Sequence, residues 1–233
     1  MGIQPKFIIG GCAYRQQIHV QLAASIAHLA SICTVRDDGP VFAGIHFQHT
    51  SNLPQGRMLW LREQIADKSK PKWAISVDSD TIFNAAHLKA ELARINGQTA
   101  IGICPVRIGG TEDLCNINIT DEDEKMSMEM DTESPSMLAS AKQARHGRRV
   151  KWGAELKALL DGTDRQIWSG GFGVVVFNLD WYRQVWQNPE PEFCSIATGE
   201  DTEHCRSVRI RGGRIEAMRV QTDHFAWGEK QTR

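Results

Sequence analysis

The sequence lacks an apolar run long enough to cross a membrane, and it lacks an excess of either charge. A spanning helix needs about 20 consecutive apolar residues, and the N-terminal stretch before Phe7 is too short for a signal peptide. Of the 233 residues 41% are hydrophobic and 24% charged, which is ordinary for a globular protein. The formal net charge of −1 supplies no global field that would recruit nucleic acid or an anionic membrane.

Cysteines are few, and their spacing fits neither disulfides nor zinc. The six lie at positions 12, 33, 104, 115, 194 and 205, without a Cys-x-x-Cys pair and without the density of a disulfide scaffold. We therefore expect reduced and mostly buried thiols, and with them a cytoplasmic protein.

Strand and helix patterns alternate through the first hundred residues, which is typical of βαβ units around a parallel sheet. Short apolar runs predict strands at residues 7–9, 41–47, 73–77 and 100–104. A later apolar run at 172–177 predicts another strand. The sequence thus indicates an α/β fold with a mostly parallel central sheet.

The composition changes from about residue 109. Between Thr111 and Glu133 nine acids stand against one lysine, and basic residues as far as Lys151 then reverse the sign. Because no periodicity is sustained there, we expect residues 109–150 to form a flexible, solvated insertion near the acceptor side. A lid or acceptor-binding loop is the alternative.

The most informative motif is Asp78-Ser79-Asp80, which directly follows the apolar run at 73–77. In open α/β sheets, ligands bind at the carboxyl ends of the strands, and side chains two apart project the same way on an extended backbone. Two carboxylates held that close repel unless a cation or a proton lies between them. The motif predicts a divalent-cation site, and an Asp80 cap on a following helix is the alternative.

Three further motifs follow in the second half of the chain. A glycine-rich turn containing Gly170 and Gly171 precedes the run at 172–177, and paired glycines allow a close backbone approach. Glu200 and Asp201 open a predicted helix, where the helix dipole stabilises negative charge. A last predicted strand, at 214–220, leads to His224.

In this order the motifs resemble a glycosyltransferase of the GT-A fold, the nucleotide-sugar-dependent class with family 2-like connectivity. The resemblance covers most of the chain outside residues 109–165. It implies a Rossmann-like, three-layer α/β/α sandwich forming one catalytic domain over residues 1–233. Residues 1–108 would form the nucleotide-sugar-binding half, and 151–233 the acceptor and catalytic half.

The resemblance also implies a role for each motif. Asp78, Asp80 and His224 would hold Mn²⁺ or Mg²⁺ on the donor diphosphate, and Asp201, or failing that Glu200, would be the catalytic base. Residues implied in donor binding, besides the Asp-x-Asp motif with Ser79, are Gly11, Cys12, Ala13, Tyr14, Arg57, Gly170 and Gly171. The chain departs from the class where His204 replaces an aromatic residue, and where the first loop lacks a common proline.

The activity that follows is transfer of a sugar from a nucleotide-diphosphate sugar, a UDP-sugar foremost, to a hydroxyl acceptor. A divalent cation stabilises the departing charge, and a carboxylate takes the proton of the acceptor. A nucleotidyltransferase on a similar fold and a non-catalytic sugar-nucleotide or carbohydrate-binding protein are the alternatives. The basic runs at 145–151 and 206–214 would suit a nucleic-acid acceptor, a minority interpretation.

Overall fold

A six-stranded mixed sheet forms the centre of the molecule. The computed structural model describes residues 6–13, 20–33, 39–50, 53–68, 70–95, 97–108, 113–119, 148–189 and 200–224. The described helices are α1 Val20–Ile32, α2 Leu53–Ala66, α3 Ala85–Arg94, α4 Ala154–Asp161, α5 Leu179–Val185 and α6 Glu200–Ile210. The described strands are β1 Lys6–Ala13, β2 Val41–His49, β3 Trp73–Val77, β4 Thr81–Phe83, β5 Thr99–Ile103, β6 Arg107–Ile108, β7 Leu114–Ile119, β8 Arg148–Lys151, β9 Ser169–Gly170, β10 Val174–Asn178, β11 Arg214–Ala217 and β12 Thr222–His224.

The strand order of the central sheet is β11-β5-β10-β3-β1-β2. Strand β10 is antiparallel to both of its neighbours, and the remaining pairs are parallel. Strands β3, β5 and β10 are buried at every position, which explains their continuous apolar sequences, since strands covered on both faces do not alternate. The prediction of a mostly parallel α/β sheet is confirmed.

Helices cover both faces of this sheet, so the predicted three-layer sandwich is also confirmed. One core cluster packs Leu22 and Leu29 of α1 and Leu88 of α3 against one face. On the other face Trp60 of α2 and Val208 of α6 belong to a second cluster. Each layer is held by the burial of apolar side chains, worth about 1.5–3 kcal/mol for each large one.

The described ends of the segment 109–150 form strands, which the sequence analysis did not assign. Strand β7 pairs with β6, β8 and β9 in a small second sheet. Its inward residues Cys115 and Ile117 are fully buried, as is Val150 of β8. Buried and less buried residues do alternate along β7. The strand is short, with only four apolar residues, and lies in a strongly charged segment, so the sequence pattern did not reveal it. Residues 109–112 and 120–147 lie outside the described residues, and the predicted mobility of the insertion falls largely on them.

None of the described helices has both the length and the apolar character required to span a membrane. Cys104 and Cys205 are fully buried, in line with the packing role predicted for the cysteines. Burial raises the pKa of Cys205 to about 12, so this thiol stays protonated at neutral pH.

A buried ion cluster ties α3 to β11. The carboxylate of Glu216 accepts hydrogen bonds from Arg94 at 2.9 Å and from Arg214 at 2.7 Å. Glu91 accepts from Arg94 at 3.0 Å and from Arg165 at 2.9 Å. Burial alone would raise the pKa of Glu216, but the hydrogen bonds from Arg214 and Arg94 outweigh it and lower that pKa below its ordinary value. The cluster therefore contributes most to stability when Glu216 is ionised.

We predict that Glu216→Gln lowers the free energy of unfolding by about 2 kcal/mol at pH 7, less than for a fully buried pair because both arginines are about a third exposed. Since the folded-state pKa is depressed, this contribution is complete above pH 4.5, the ordinary value, and is lost as the pH falls through the folded-state pKa. Urea denaturation at pH 7 and at pH 3 measures both effects. Asp164→Asn, which removes a 70% exposed partner of Arg214, is the control, and an equal loss in both variants would contradict the prediction.

Candidate functional site

The Asp-x-Asp motif forms a turn at the carboxyl end of β3. The Asp78 N–H donates to the carbonyl of Gly173 at 2.9 Å, and the Thr81 N–H donates to the carbonyl of Asp78 at 3.1 Å. Thr81 opens strand β4, and the cap of α3 is Asn84, whose side chain accepts from the His87 N–H. The alternative in which Asp80 caps a helix is therefore wrong.

Asp78 is held by a buried arginine. Arg57 of α2 donates to Asp78 Oδ1 at 2.8 Å, and Arg57 is only 4% exposed. Its guanidinium also lies 5.6 Å from the centre of the Phe172 ring. A buried cation requires an anionic partner, so this pair fixes the direction of the Asp78 carboxylate.

Asp80 and His224 meet although they are far apart in sequence. Strands β4 and β12 pair antiparallel, with His224 opposite Thr81, and this register brings His224 Nε2 to 3.4 Å from Asp80 Oδ1. Both side chains are partly exposed, 47% for His224 and 23% for Asp80. They can therefore reach a ligand from solvent.

These two side chains fit a pair of neighbouring ligands on one cation. In octahedral coordination with bonds of about 2.1 Å, adjacent ligand atoms lie about 3 Å apart, close to the separation of Asp80 and His224. Asp78 is turned towards Arg57 instead. Within the described ranges, no group of three or more His, Cys, Asp or Glu side chains is arranged to hold a metal, so the three-ligand site stays a prediction.

The turn that links β9 to β10, residues 170–173, lies between the Asp-x-Asp motif and α6. A Cβ on Gly171 would lie 3.3 Å from Asp201 Oδ2, which is tighter than ordinary van der Waals contact. Asp201 is in the first turn of α6, and its Oδ1 accepts the Thr202 N–H at 2.8 Å. At the other end of the turn, Gly173 contacts Asp78 through its carbonyl. The turn thus brings both predicted acidic positions to one edge of the sheet.

Asn116 of β7, which the sequence analysis missed, fixes this turn. Its Nδ2 donates to the Gly171 carbonyl at 2.8 Å, and its Oδ1 accepts the Val106 N–H at 2.6 Å. The Gly171 N–H in turn donates to the Asn116 carbonyl at 2.9 Å. The signal that could have found it was the alternation of β7, which puts Asn116 opposite in direction to the buried Cys115.

The segment predicted as a nucleoside-contacting turn is strand as far as Ala13, because β1 stays paired with β2 through Gly11, Cys12 and Ala13. Gly11 has φ of 136°, and a Cβ there would lie 2.9 Å from Ser76 Oγ, so only glycine allows β1 to approach β3 this closely. Cys12 and Ala13 belong to β1 but their side chains lie outside the described part. Tyr14 lies outside the described residues. Ser79 is buried beside Asp80.

Glu200, the second predicted base, is the first residue of α6. Its side chain lies outside the described part, so the structure provides side-chain geometry for Asp201 alone of the two acids. Gly170 lies in β9, where a Cβ would be 3.1 Å from Ile103 Cγ2. That contact supports a packing role for Gly170 at the base of the turn.

His204 of α6 is buried among aromatic rings. It is 1% exposed, and its ring lies 4.9 Å from that of Trp186 at an interplanar angle of 21°. The Tyr182 hydroxyl is 2.7 Å from His204 Nε2. Burial, reinforced by the positive charges of Arg57 and Arg211, lowers the pKa of His204 to about 3. The imidazole is therefore neutral at pH 7 and packs as an aromatic ring would.

No protein-family model and no curated protein sequence matches this chain. Solved structures match it in fold. A197 from STIV is 12% identical with a TM-score of 0.55, and the match covers 97% of this chain and 87% of that one. GalNAc-T7, solved with UDP, GalNAc and Mn²⁺, is 12% identical with a TM-score of 0.53. The match covers 98% of this chain and 44% of GalNAc-T7, so this chain spans less than half the length of that protein.

The catalytic domain of Drosophila beta1,4-galactosyltransferase 7, in complex with xylobiose, is also similar, with 10% identity, a TM-score of 0.45, and coverage of 92% of this chain and 65% of that one. The likeness to GalNAc-T7 is one of fold, and the predicted GT-A-like α/β architecture is confirmed by it.

We predict that burial of neutral His204 makes the protein less stable in mild acid. Because its folded-state pKa, about 3, lies below the unfolded value of about 6.5, stability falls between these two pH values by up to about 1.4 kcal/mol per pH unit. Unfolding free energies at pH 7 and 5.5 should differ less in His204→Phe than in the parent. His28→Gln, on the exposed side of α1, is the control. An unchanged pH dependence in His204→Phe would contradict the assignment.

Proposed function

We propose that this chain is a metal-dependent glycosyltransferase that moves a sugar from a nucleotide-diphosphate sugar to a hydroxyl acceptor. The observation that carries the proposal is the meeting of the Asp-x-Asp turn, His224 and Asp201 around one glycine turn at the carboxyl edge of the sheet. In open α/β folds this edge is where ligands bind. The likeness in fold to GalNAc-T7, solved with UDP, GalNAc and Mn²⁺, makes a UDP-sugar the first donor to test.

In this proposal Asp80 and His224 supply the protein ligands of a divalent cation on the donor diphosphate. Their 3.4 Å separation and partial exposure support that role. A cation bound there would stabilise negative charge on the departing diphosphate as a Lewis acid. An imidazole beside carboxylate ligands favours Mn²⁺ over Mg²⁺.

Asp78 and Arg57 act as a unit in the proposed donor site. Arg57 holds the Asp78 carboxylate at 2.8 Å, so Asp78 is oriented before any ligand arrives. We include Asp78 among the metal-binding residues as a group whose negative charge adds to the field at the cation. Arg57 fixes its position through this contact.

Two glycines of the proposed donor site are required by packing. A Cβ on Gly11 would lie 2.9 Å from Ser76 Oγ of β3, and a Cβ on Gly171 would lie 3.3 Å from Asp201 Oδ2. A side chain at position 171 would therefore compete for the space beside the proposed base. We propose that the nucleoside contacts the carboxyl end of β1, from Gly11 to Ala13, and Tyr14, with the transferred sugar near Gly170 and Gly171.

Asp201 is the proposed base. Its position in the first turn of α6 lets the helix dipole stabilise the ionised carboxylate, and its Oδ1 is anchored by the Thr202 N–H. Oδ2 lies on the side of Gly171, 3.3 Å from the position that a Cβ there would take. An ionised carboxylate oxygen there can accept the proton of the acceptor hydroxyl. In the same step the hydroxyl oxygen forms its bond to the sugar carbon, and the bond between that carbon and the diphosphate breaks.

We predict that Asp80→Asn weakens Mn²⁺-dependent binding of UDP at least about tenfold, because it removes a charged ligand from the cation. Calorimetric titration of UDP with and without Mn²⁺ measures this loss, and His224→Gln should act in the same direction. Asp223→Asn is the matched control, since Asp223 is exposed on the same short strand and opposite Ile82. Parental Mn²⁺-dependent affinity in Asp80→Asn would refute the metal assignment.

We predict that Asp201→Asn keeps donor binding but lowers kcat by about 10²- to 10⁴-fold, because the variant keeps the shape and loses the basic oxygen. Release of UDP from a UDP-sugar, with water as the acceptor, provides the assay before the natural acceptor is known. Glu203→Gln, two residues along the same helix, is the control. If Glu200→Gln rather than Asp201→Asn abolishes turnover, then Glu200 is the base.

A further inference from the structure

The described part of the small sheet carries more basic than acidic side chains along strand β8. Strand β8 supplies Arg148, Arg149 and Lys151, all exposed. Arg148 pairs with Glu155 at 2.6 Å. Within the described ranges of the chain, Arg149 and Lys151 form no side-chain ion pair, although the backbone N–H of Lys151 donates to Glu155 Oε2 at 2.7 Å. Three cations on β8 thus stand beside one described acid, Glu155, and the described part of this strand carries a net positive charge that attracts anions.

Strand register puts both cations on one face of the small sheet. Arg149 lies opposite Asn118 and Lys151 opposite Leu114, and residues opposite each other in an antiparallel pair project to the same face. Val150, between them, is fully buried on the other face. Two like charges two residues apart repel one another, so a bound anion would relieve that repulsion.

This face borders the proposed base. Asn116 is on the same side of β7 by alternation, and a Cβ on Gly171 would lie 3.4 Å from Asn116 and 3.3 Å from Asp201. Strands β9 and β8 flank β7 on opposite sides, so their backbones lie about 10 Å apart. Arg149 and Lys151 belong to β8, so their backbone lies about 10 Å from that of β9.

We propose that Arg149 and Lys151 bind a phosphate group of the acceptor, which is therefore a hydroxyl compound that carries a phosphate ester. This inference rests on the proposed function. A guanidinium and an ammonium are the side chains that bind phosphate most strongly. The carboxylate of Asp201 repels an anion, so the phosphate lies towards β8 and the nucleophilic hydroxyl towards Asp201, at different ends of the acceptor.

A phosphomonoester on a small molecule and a phosphodiester in a polynucleotide share this chemistry. The arms of the test separate them. With UDP and Mn²⁺ present to fill the donor site, binding is measured for glucose 6-phosphate against glucose, for glycerol 3-phosphate against glycerol, and for a short labelled oligothymidylate against thymidine. We expect at least one phosphorylated probe to bind more tightly than its uncharged partner, with an affinity that falls as salt rises.

The decisive variant is the double substitution Arg149→Gln with Lys151→Gln. It should weaken binding of the phosphorylated probe about tenfold, from two exposed charge contacts each worth up to about fivefold. The matched control is Lys68→Gln with Lys70→Gln, which removes the same charge from the residues before β3, at the opposite edge of the sheet. The control should bind the probe as the parent does.

The inference fails if no phosphorylated probe outbinds its partner, or if the double variant binds it with parental affinity. Titration of UDP with Mn²⁺ alone is read separately and should be unchanged in the double variant. Normal UDP binding together with failure of the phosphate test refutes only the acceptor inference. Absence of UDP binding refutes the proposed function, and the comparison of the double variant with its control still decides whether Arg149 and Lys151 bind phosphate.

Discussion

The arrangement of the site depends on one constraint, the insertion of antiparallel β10 between β3 and β5. Because β10 runs against its neighbours, the turn that precedes it arrives at the same sheet edge at which β3 ends. The hydrogen bond from Asp78 N–H to the Gly173 carbonyl closes that edge. Residues 170–173 then contact the Asp-x-Asp turn on one side and Asp201 on the other. A parallel strand in this position would have put the turn at the far edge, away from both acids.

The charges at this edge are coupled through Arg57. Its pairing with Asp78 is what makes a nearly fully buried guanidinium tolerable, since removing one partner of a buried pair leaves an uncompensated charge. The same positive charge adds to burial in lowering the pKa of His204, which stays neutral and packs against Trp186. The Arg57–Asp78 pair therefore orients the Asp78 carboxylate and also helps to keep His204 neutral in the packing beneath it. This coupling gives a physical reason why a buried histidine can pack here as an aromatic ring would.

The buried strands of the central sheet could be predicted from the sequence. The short strands and the contacts between distant residues could not. Strands β3, β5 and β10 were predicted because burial on both faces leaves continuous apolar runs. Strands β4 and β12 have three residues each, too few for their pairing to be predicted from periodicity. That pairing brings His224 to Asp80, and only the family resemblance suggested that these two residues meet. Asn116 was missed because its role lies in hydrogen bonds to Gly171 and Val106, distant in sequence. Burial leaves a local pattern, whereas a tertiary hydrogen bond leaves none.

The central sheet and the small sheet around β7 contribute differently to the candidate site. A fold shared at 12% identity does not determine which ligands bind, because function resides in the site and not in the fold. The central sheet provides the edge at which Asp78, Asp80 and Asp201 converge. The small sheet is built against that edge through Asn116 and presents its exposed cations from β8. Asn116 bonds directly to the glycine turn, whose Gly171 lies beside Asp201. In the proposed function, this one side chain connects the surface that would bind the acceptor to the turn beside the proposed base.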